Sequence, residues 1–226
     1  MFSTLISAFL ASTLHVISGP DHLAAVTPFA ISSQRKGWKI GLLWGVGHLL
    51  GMLIIGGLFW SFRELIPVDS ISKYSEQLVA FVLIGVGLWT FFRIFIEQKN
   101  LIQKHNSHNE KTNSIYISSE LKPIEENIER NIWSSLSIGF LHGLAGVAHF
   151  ILLLPILAFE TKLQGLEYII GFAIGTVIAM TLYALILGNI SFYSKKSNDP
   201  KIFKAIRFLG GLFALLIGVY WLYVTF

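Results

Sequence analysis

Six apolar stretches, at roughly 2–31, 38–62, 76–97, 132–158, 163–190 and 202–226, run through the sequence. A helix needs ~20 mostly apolar residues to cross a bilayer, so each stretch is long enough for one crossing. The fold predicted from this pattern is all-α, a polytopic membrane protein of six transmembrane helices. Composition agrees: only 13% of the 226 residues are charged, about half the share in a soluble domain, which is about 25%. The mean hydropathy is +0.65. These values exclude a disordered chain, a disulfide scaffold and an ordinary soluble enzyme. The first stretch carries no charge before Asp21 and outruns the apolar core of a signal peptide, so it is expected to be a retained span. The chain has no cysteine, which removes thiolate chemistry and every Cys-based metal centre.

The net charge of +4 would suggest nucleic acid in a soluble protein. Here the basic residues fill the gaps between apolar stretches, where they orient a membrane protein instead, and no nucleic-acid partner is expected. Fourteen of the 17 Lys and Arg residues fall in the gaps after the first, third and fifth stretches. Short gaps alone still give 8 against 3. The positive-inside rule then places those gaps in the cytoplasm and both termini outside, most simply in the plasma (inner) membrane. The polar stretch 98–131, rich in Asn, Ser, Lys and Glu, reads as a solvated, mobile cytoplasmic linker. Its His105 and His108 read as solvent-facing.

The sequence also repeats itself. Leu14, His15, Gly19, His22 and Pro28 recur as Leu141, His142, Gly146, His149 and Pro155, all at an offset of 127. Gly37, Gly47 and Met52 recur as Gly165, Gly175 and Met180 at 128, and Leu-Ile-Gly-Val at 83–86 recurs at 216–219. The chain therefore reads as a three-helix repeat over 1–97, the linker over 98–131 and a second three-helix repeat over 132–226. Three is odd, so the second repeat enters the membrane inverted, an architecture common among secondary transporters with a site near the midplane.

Five of the seven histidines lie in apolar stretches: His15, His22, His48, His142 and His149. Asp21 is the only acidic residue deep within one. Ionisable groups in a membrane are costly and face a cavity or the bundle interior. His15, Gly19 and His22 share a helical face, as do His142, Gly146 and His149. Gly19-Pro20 should break the first helix, because proline removes an i→i−4 hydrogen bond. In the second stretch Gly41, Gly45 and His48 share a face, so His48 should point inward. Imidazole and carboxylate suit Ni²⁺, Co²⁺, Zn²⁺, Fe²⁺ or Mn²⁺, whereas Mg²⁺ and Ca²⁺ prefer all-oxygen shells. The expected site is therefore metal-binding, with His15, Asp21, His22, His48, His142 and His149 as its residues. Trp38, Trp60, Trp133 and Trp221 read as interface and lipid-facing anchors.

The segments HVISGPDHLAAVTPF, WGVGHLLG and GFLHGLAGVAH resemble the nickel/cobalt transporter superfamily, especially its compact urease-accessory, UreH-like membrane proteins. The resemblance covers nearly the whole chain. The hallmark of that family is His, four residues, then Asp-His; here five residues separate His15 from Asp21-His22. The VGH at 46–48 is similar to the family's second motif. The acidic later signature of the best-known nickel and cobalt permeases has no counterpart, and His142 and His149 stand in that part of the chain. The resemblance implies permeation of nickel or cobalt in the service of urease or another metalloenzyme, with no permanently bound cofactor and no enzymatic activity. The expected partners are the transported ion and the lipid bilayer, with homo-oligomerisation left open.

Two other functions fit some of these residues. A proton-coupled exporter of a small solute could use the same His and Asp groups as a relay. A haem-binding electron-transfer protein could use the histidine pairs as axial ligands, but each pair is seven residues apart, about 10 Å of helix rise, which is short for stacking two haems across a membrane. A di-iron oxidase would need several carboxylates where only Asp21 is available.

Overall fold

A computed structural model describes residues 2–62, 68–106, 116–145, 159–197 and 200–226. Helix α1 (Phe2–Ser18) leads into α2 (Pro20–Ser33), followed by a 3₁₀ turn, Gln34–Lys36, and α3 (Gly37–Phe62). Then come α4 (Val68–Asn106), α5 (Tyr116–Ala145), α6 (Lys162–Lys196) and α7 (Pro200–Thr225). Every regular element among the described residues is helical, as the sequence predicts. Four stretches among them are long and apolar enough to cross a membrane: Pro20–Gly57, Glu76–Glu97, Lys162–Lys196 and Lys201–Thr225. The fold is that of an all-α membrane protein.

Local chemistry sets the helix boundaries. The break expected at Gly19-Pro20 is present. Gly19 is extended (φ −88°, ψ 95°) and Pro20 opens α2 at its first position. Proline disfavours helical geometry in the residue before it and supplies no amide of its own. Helix α2 ends where Gln34 takes φ 50°, the positive-φ non-glycine position among the described residues. Helix α6 starts with a reciprocal cap. The Gln164 amide donates to Thr161 Oγ1 at 3.3 Å, and the Thr161 amide donates to Gln164 Oε1 at 3.2 Å.

The packing is inside-out relative to a soluble protein. Along α6, Ile170, Ile174, Ile178, Leu182, Ile186 and Ile190 form an exposed stripe four residues apart. Gly171, Gly175, Thr176, Met180, Ala184, Gly188 and Ser191 are buried on its other face. Hydrocarbon is as good a solvent for isoleucine as a protein core, so small residues take the helix interfaces and let backbones approach. A Cβ at Gly47 would meet the Leu136 and Phe140 backbone of α5, and one at Gly139 the Trp44 backbone of α3. Gly171 and Gly175 seat α6 against Leu5 and Phe9 of α1. At the other end, Arg207 of α7 forms a bidentate ion pair with Glu97 of α4.

Within the stretch 98–131, α4 runs on to Asn106 and α5 begins at Tyr116. Its Gln, Lys, Glu, Leu and Ile residues are good or tolerable helix formers, and polarity alone does not break a helix that neighbouring spans nucleate. One expectation needs correction: Trp221 is not a lipid-facing anchor. It packs against the core and lines the cavity beside the histidines. Trp133 and Trp38 are exposed, as a lipid- or interface-facing ring requires; the side chain of Trp60 lies outside the described residues.

Candidate metal centre

The helix break builds the site. Because α1 stops at Ser18 and α2 restarts at Pro20, Asp21 falls in the first turn of α2, where exposed amides and the helix dipole favour a negative charge. The Gly19 amide still donates to the His15 carbonyl at 2.9 Å, and the His22 amide to the Gly19 carbonyl at 3.1 Å. The two helices are thus hinged but closed on one another. Glycine is required at 19 for close approach: a Cβ there would lie 2.7 Å from His22 Nδ1 and 3.2 Å from Asp21 Oδ1.

Asp21 is the hub. Its Oδ1 accepts from His22 Nδ1 at 3.1 Å, and its Oδ2 accepts from His142 Nε2 of α5 at 3.0 Å. All three side chains are buried, His22 to 1% exposure and His142 to 3%. One ligand atom from each lies within 4.8 Å of the others. The two short separations are hydrogen bonds made by the two different Asp21 oxygens, and a cation held by the three residues would take the place of those bonds. A neutral imidazole that donates to Asp21 can shift its proton to the other ring nitrogen and present a lone pair at the same place.

Two more histidines extend the cluster. His15, in the last turn of α1, meets His22 edge-on with ring centres 4.7 Å apart. His48 of α3 is fully buried, with its ring 5.3 Å from His22 and 5.8 Å from His142. Trp44, one helical turn before His48, stacks on it at 5.0 Å and lies 5.4 Å from both His22 and His142. This indole wall fixes the ring planes of three imidazoles at once. Four helices thus bring His15, Asp21, His22, His48 and His142 together. His149, the remaining predicted ligand, lies outside the described residues.

The cluster opens into a cavity of about 240 Å³ whose lining includes His15, Gly19, Asp21, His22 and His142, together with Glu76 of α4 and Trp221 of α7. Sequence reading missed Glu76, Trp44 and Trp221. Glu76 sits at the first position of an apolar stretch, where a charge looks like an ordinary span boundary. Its three-residue spacing from the buried Val79 is the one signal that it faces inward.

A buried carboxylate–imidazole cluster inside an apolar helical bundle defines an integral membrane protein with a polar intramembrane site. The chain belongs to the family described as cytochrome c biogenesis protein transmembrane region, whose profile matches residues 4–222. Among individual proteins it is 30% identical over 215 residues to chloroplast protein FOR GROWTH AND FERTILITY 1 of Arabidopsis thaliana, covering 94% of this chain and 57% of that one. It is 29% identical to FOR GROWTH AND FERTILITY 2 of the same plant, covering 54% of it. The chain therefore spans little more than half the length of these plant relatives. It is also 26% identical over 226 residues to urease accessory protein UreH of Bacillus sp. (strain TB-90), covering 99% of this chain and 92% of that one. No solved structure matches. These matches support a UreH-like membrane protein. They do not single out the nickel/cobalt transporter superfamily that the motifs resemble.

Proposed function

We propose that this protein carries a divalent transition-metal cation across a membrane, nickel or cobalt first, with zinc, iron and manganese compatible with the same ligands. The observation that carries the reading is Asp21, a buried carboxylate bridging two imidazoles from separate helices at 3.0 and 3.1 Å. A charge placed there is costly in a membrane unless a cation or its equivalent compensates it. The likeness to a urease accessory protein along nearly its whole length favours nickel and a metalloenzyme as the eventual destination. The ion undergoes only ligand exchange: it sheds hydration water for side-chain nitrogen and oxygen and takes water up again on release, with no covalent or redox change.

The architecture proposed with it is six spans in two inverted three-helix repeats. Packing supports this. Gly47 approaches Leu136 of α5, and Gly175 approaches Phe9 of α1. The sequence offsets of 128 and 127 exchange Gly47 with Gly175 and Leu136 with Phe9, so the same contact is made twice. Both termini are proposed to lie outside, with the charge distribution as support. Because the chain lacks native cysteine, a single cysteine introduced between 107 and 115 should be labelled by an impermeant maleimide only from the cytoplasmic side. Labelling only from outside would reverse the orientation.

The ring contacts weigh against a haem. The His22 and His142 ring centres stand 4.6 Å apart, too close for a porphyrin and its iron to sit between them. The chain has no cysteine, so it can supply no thiol of its own to a cytochrome maturation reaction. The test is uptake by proteoliposomes offered Ni²⁺, Co²⁺, Zn²⁺, Mn²⁺ and Mg²⁺ from pH 8 to pH 5. Metal binding needs imidazole lone pairs, so protons compete with the ion. Uptake of the transition ions should be highest at the alkaline end and fall through the imidazole range, with Mg²⁺ poorly taken up throughout. Flux of protons or an organic solute that ignores every metal would assign the site to a proton-coupled exporter.

A further inference from the structure

Taking the Asp21 cluster as the cation site, we infer that Glu76 is the second carboxylate of the transport path, which receives the cation in the cavity. Glu76 is carried by α4 and shares one cavity with His15, Asp21, His22 and His142. Its helix reaches the cavity in a fixed register. Val79, one turn on, is buried on the same face, and Gln77 Nε2 donates to the Thr225 carbonyl of α7 at 3.2 Å. These contacts pin the start of the third apolar stretch against the end of the last one and leave Glu76 on the cavity side.

Charge arithmetic gives the residue its role. With imidazoles neutral, the Asp21 cluster carries one negative charge, so a divalent ion bound there leaves a net positive charge inside a low-dielectric bundle. Such a charge is strongly disfavoured. A second carboxylate on the same cavity adds negative charge facing the ion. It does so from a half-exposed position, where water still reaches it. Glu76 is therefore suited to hold a hydrated ion before the ion sheds water onto imidazole. The division of labour separates a weak, oxygen-only outer station from a buried nitrogen-rich one. Oxygen ligands discriminate little among divalent ions, whereas imidazole selects borderline metals. Glu76 should therefore govern the affinity for any divalent ion, and the histidines the choice among them.

The experiment measures Ni²⁺ and Co²⁺ uptake by proteoliposomes, and equilibrium binding of the same ions to detergent-solubilised protein, for wild type, Glu76→Gln, Glu76→Asp and Asp21→Asn. Loss of one charge facing a divalent ion across a partly wet cavity should raise the half-saturating concentration of both metals about 10-fold in Glu76→Gln. The Ni²⁺/Co²⁺ preference should stay unchanged, and Glu76→Asp should recover most of the loss. Equilibrium binding separates this effect from a folding defect, since a protein that keeps its binding stoichiometry has kept its site. Wild-type half-saturation in Glu76→Gln, with Asp21→Asn impaired, overturns the role of Glu76 and leaves the Asp21 site standing. Wild-type values in both variants overturn the site itself and this inference with it. An equal loss in Glu76→Gln and Glu76→Asp also overturns it, because shape rather than charge would then be what matters.

Discussion

Replacing Asp21 by asparagine should weaken Ni²⁺ and Co²⁺ binding by at least about 100-fold, beyond the 10–100-fold typical of losing a residue that merely orients a ligand. Asparagine keeps the shape and can still bridge His22 and His142 through its amide group. What it lacks is the negative charge and one strong acceptor oxygen. The carboxylate accepts hydrogen bonds from both rings at once, whereas the amide offers one acceptor oxygen and one donor nitrogen in their place and no charge for the ion. Fold and expression should survive, because the substitution adds no volume against Gly19 or Trp44. Isothermal titration of the purified variant with Ni²⁺ reads the loss directly. Affinity within a few-fold of wild type would remove Asp21 from the site.

The second large effect concerns packing that holds the site together. A Cβ at Gly143 would lie 2.9 Å from the His48 carbonyl carbon and 3.0 Å from the Met52 amide nitrogen. Both are backbone atoms of α3 and cannot swing aside. Gly143→Ala must therefore push α5 away from α3, the pair of helices that carries His142 and His48. Overpacking of this kind costs about 1–3 kcal/mol, and here it also displaces a ligand. The control is Gly85→Ala on α4, where an added Cβ meets nothing within 4 Å. Both substitutions gain the same helix propensity, up to ~1 kcal/mol, so the comparison isolates the contact. Gly143→Ala should melt several degrees lower in detergent and bind Co²⁺ weakly, while Gly85→Ala should match or exceed wild type in both. Equal behaviour of the two would show that α3 and α5 do not depend on this approach.

Parts of this arrangement were legible in the sequence for identifiable reasons. Gly19-Pro20 announces its break because proline removes an amide wherever it stands. His15 and His22 declare their face because polar groups in an apolar run have only one tolerable direction. Other features were hidden. Apolar residues in a membrane helix face both lipid and protein, so hydrophobic periodicity no longer tells inside from outside. Trp44 and Trp133 therefore look alike in sequence, although one walls the histidine cluster and the other is 65% exposed. Trp221 was misread for the same cause, and Glu76 was masked by standing at the edge of its span. The helical ends of 98–131 were not legible, because polarity masks residues whose backbone preference is helical.

The claim at the centre is that a divalent transition metal binds among Asp21, His22 and His142. Nickel K-edge X-ray absorption on nickel-loaded protein tests it most directly. A site built from these residues should show nitrogen and oxygen ligands at ~2.0–2.2 Å, with the outer-shell scattering of at least two imidazoles, and should lose part of that scattering in His142→Ala. A first shell of oxygen alone, without imidazole scattering, or an identical spectrum in His142→Ala, would contradict it.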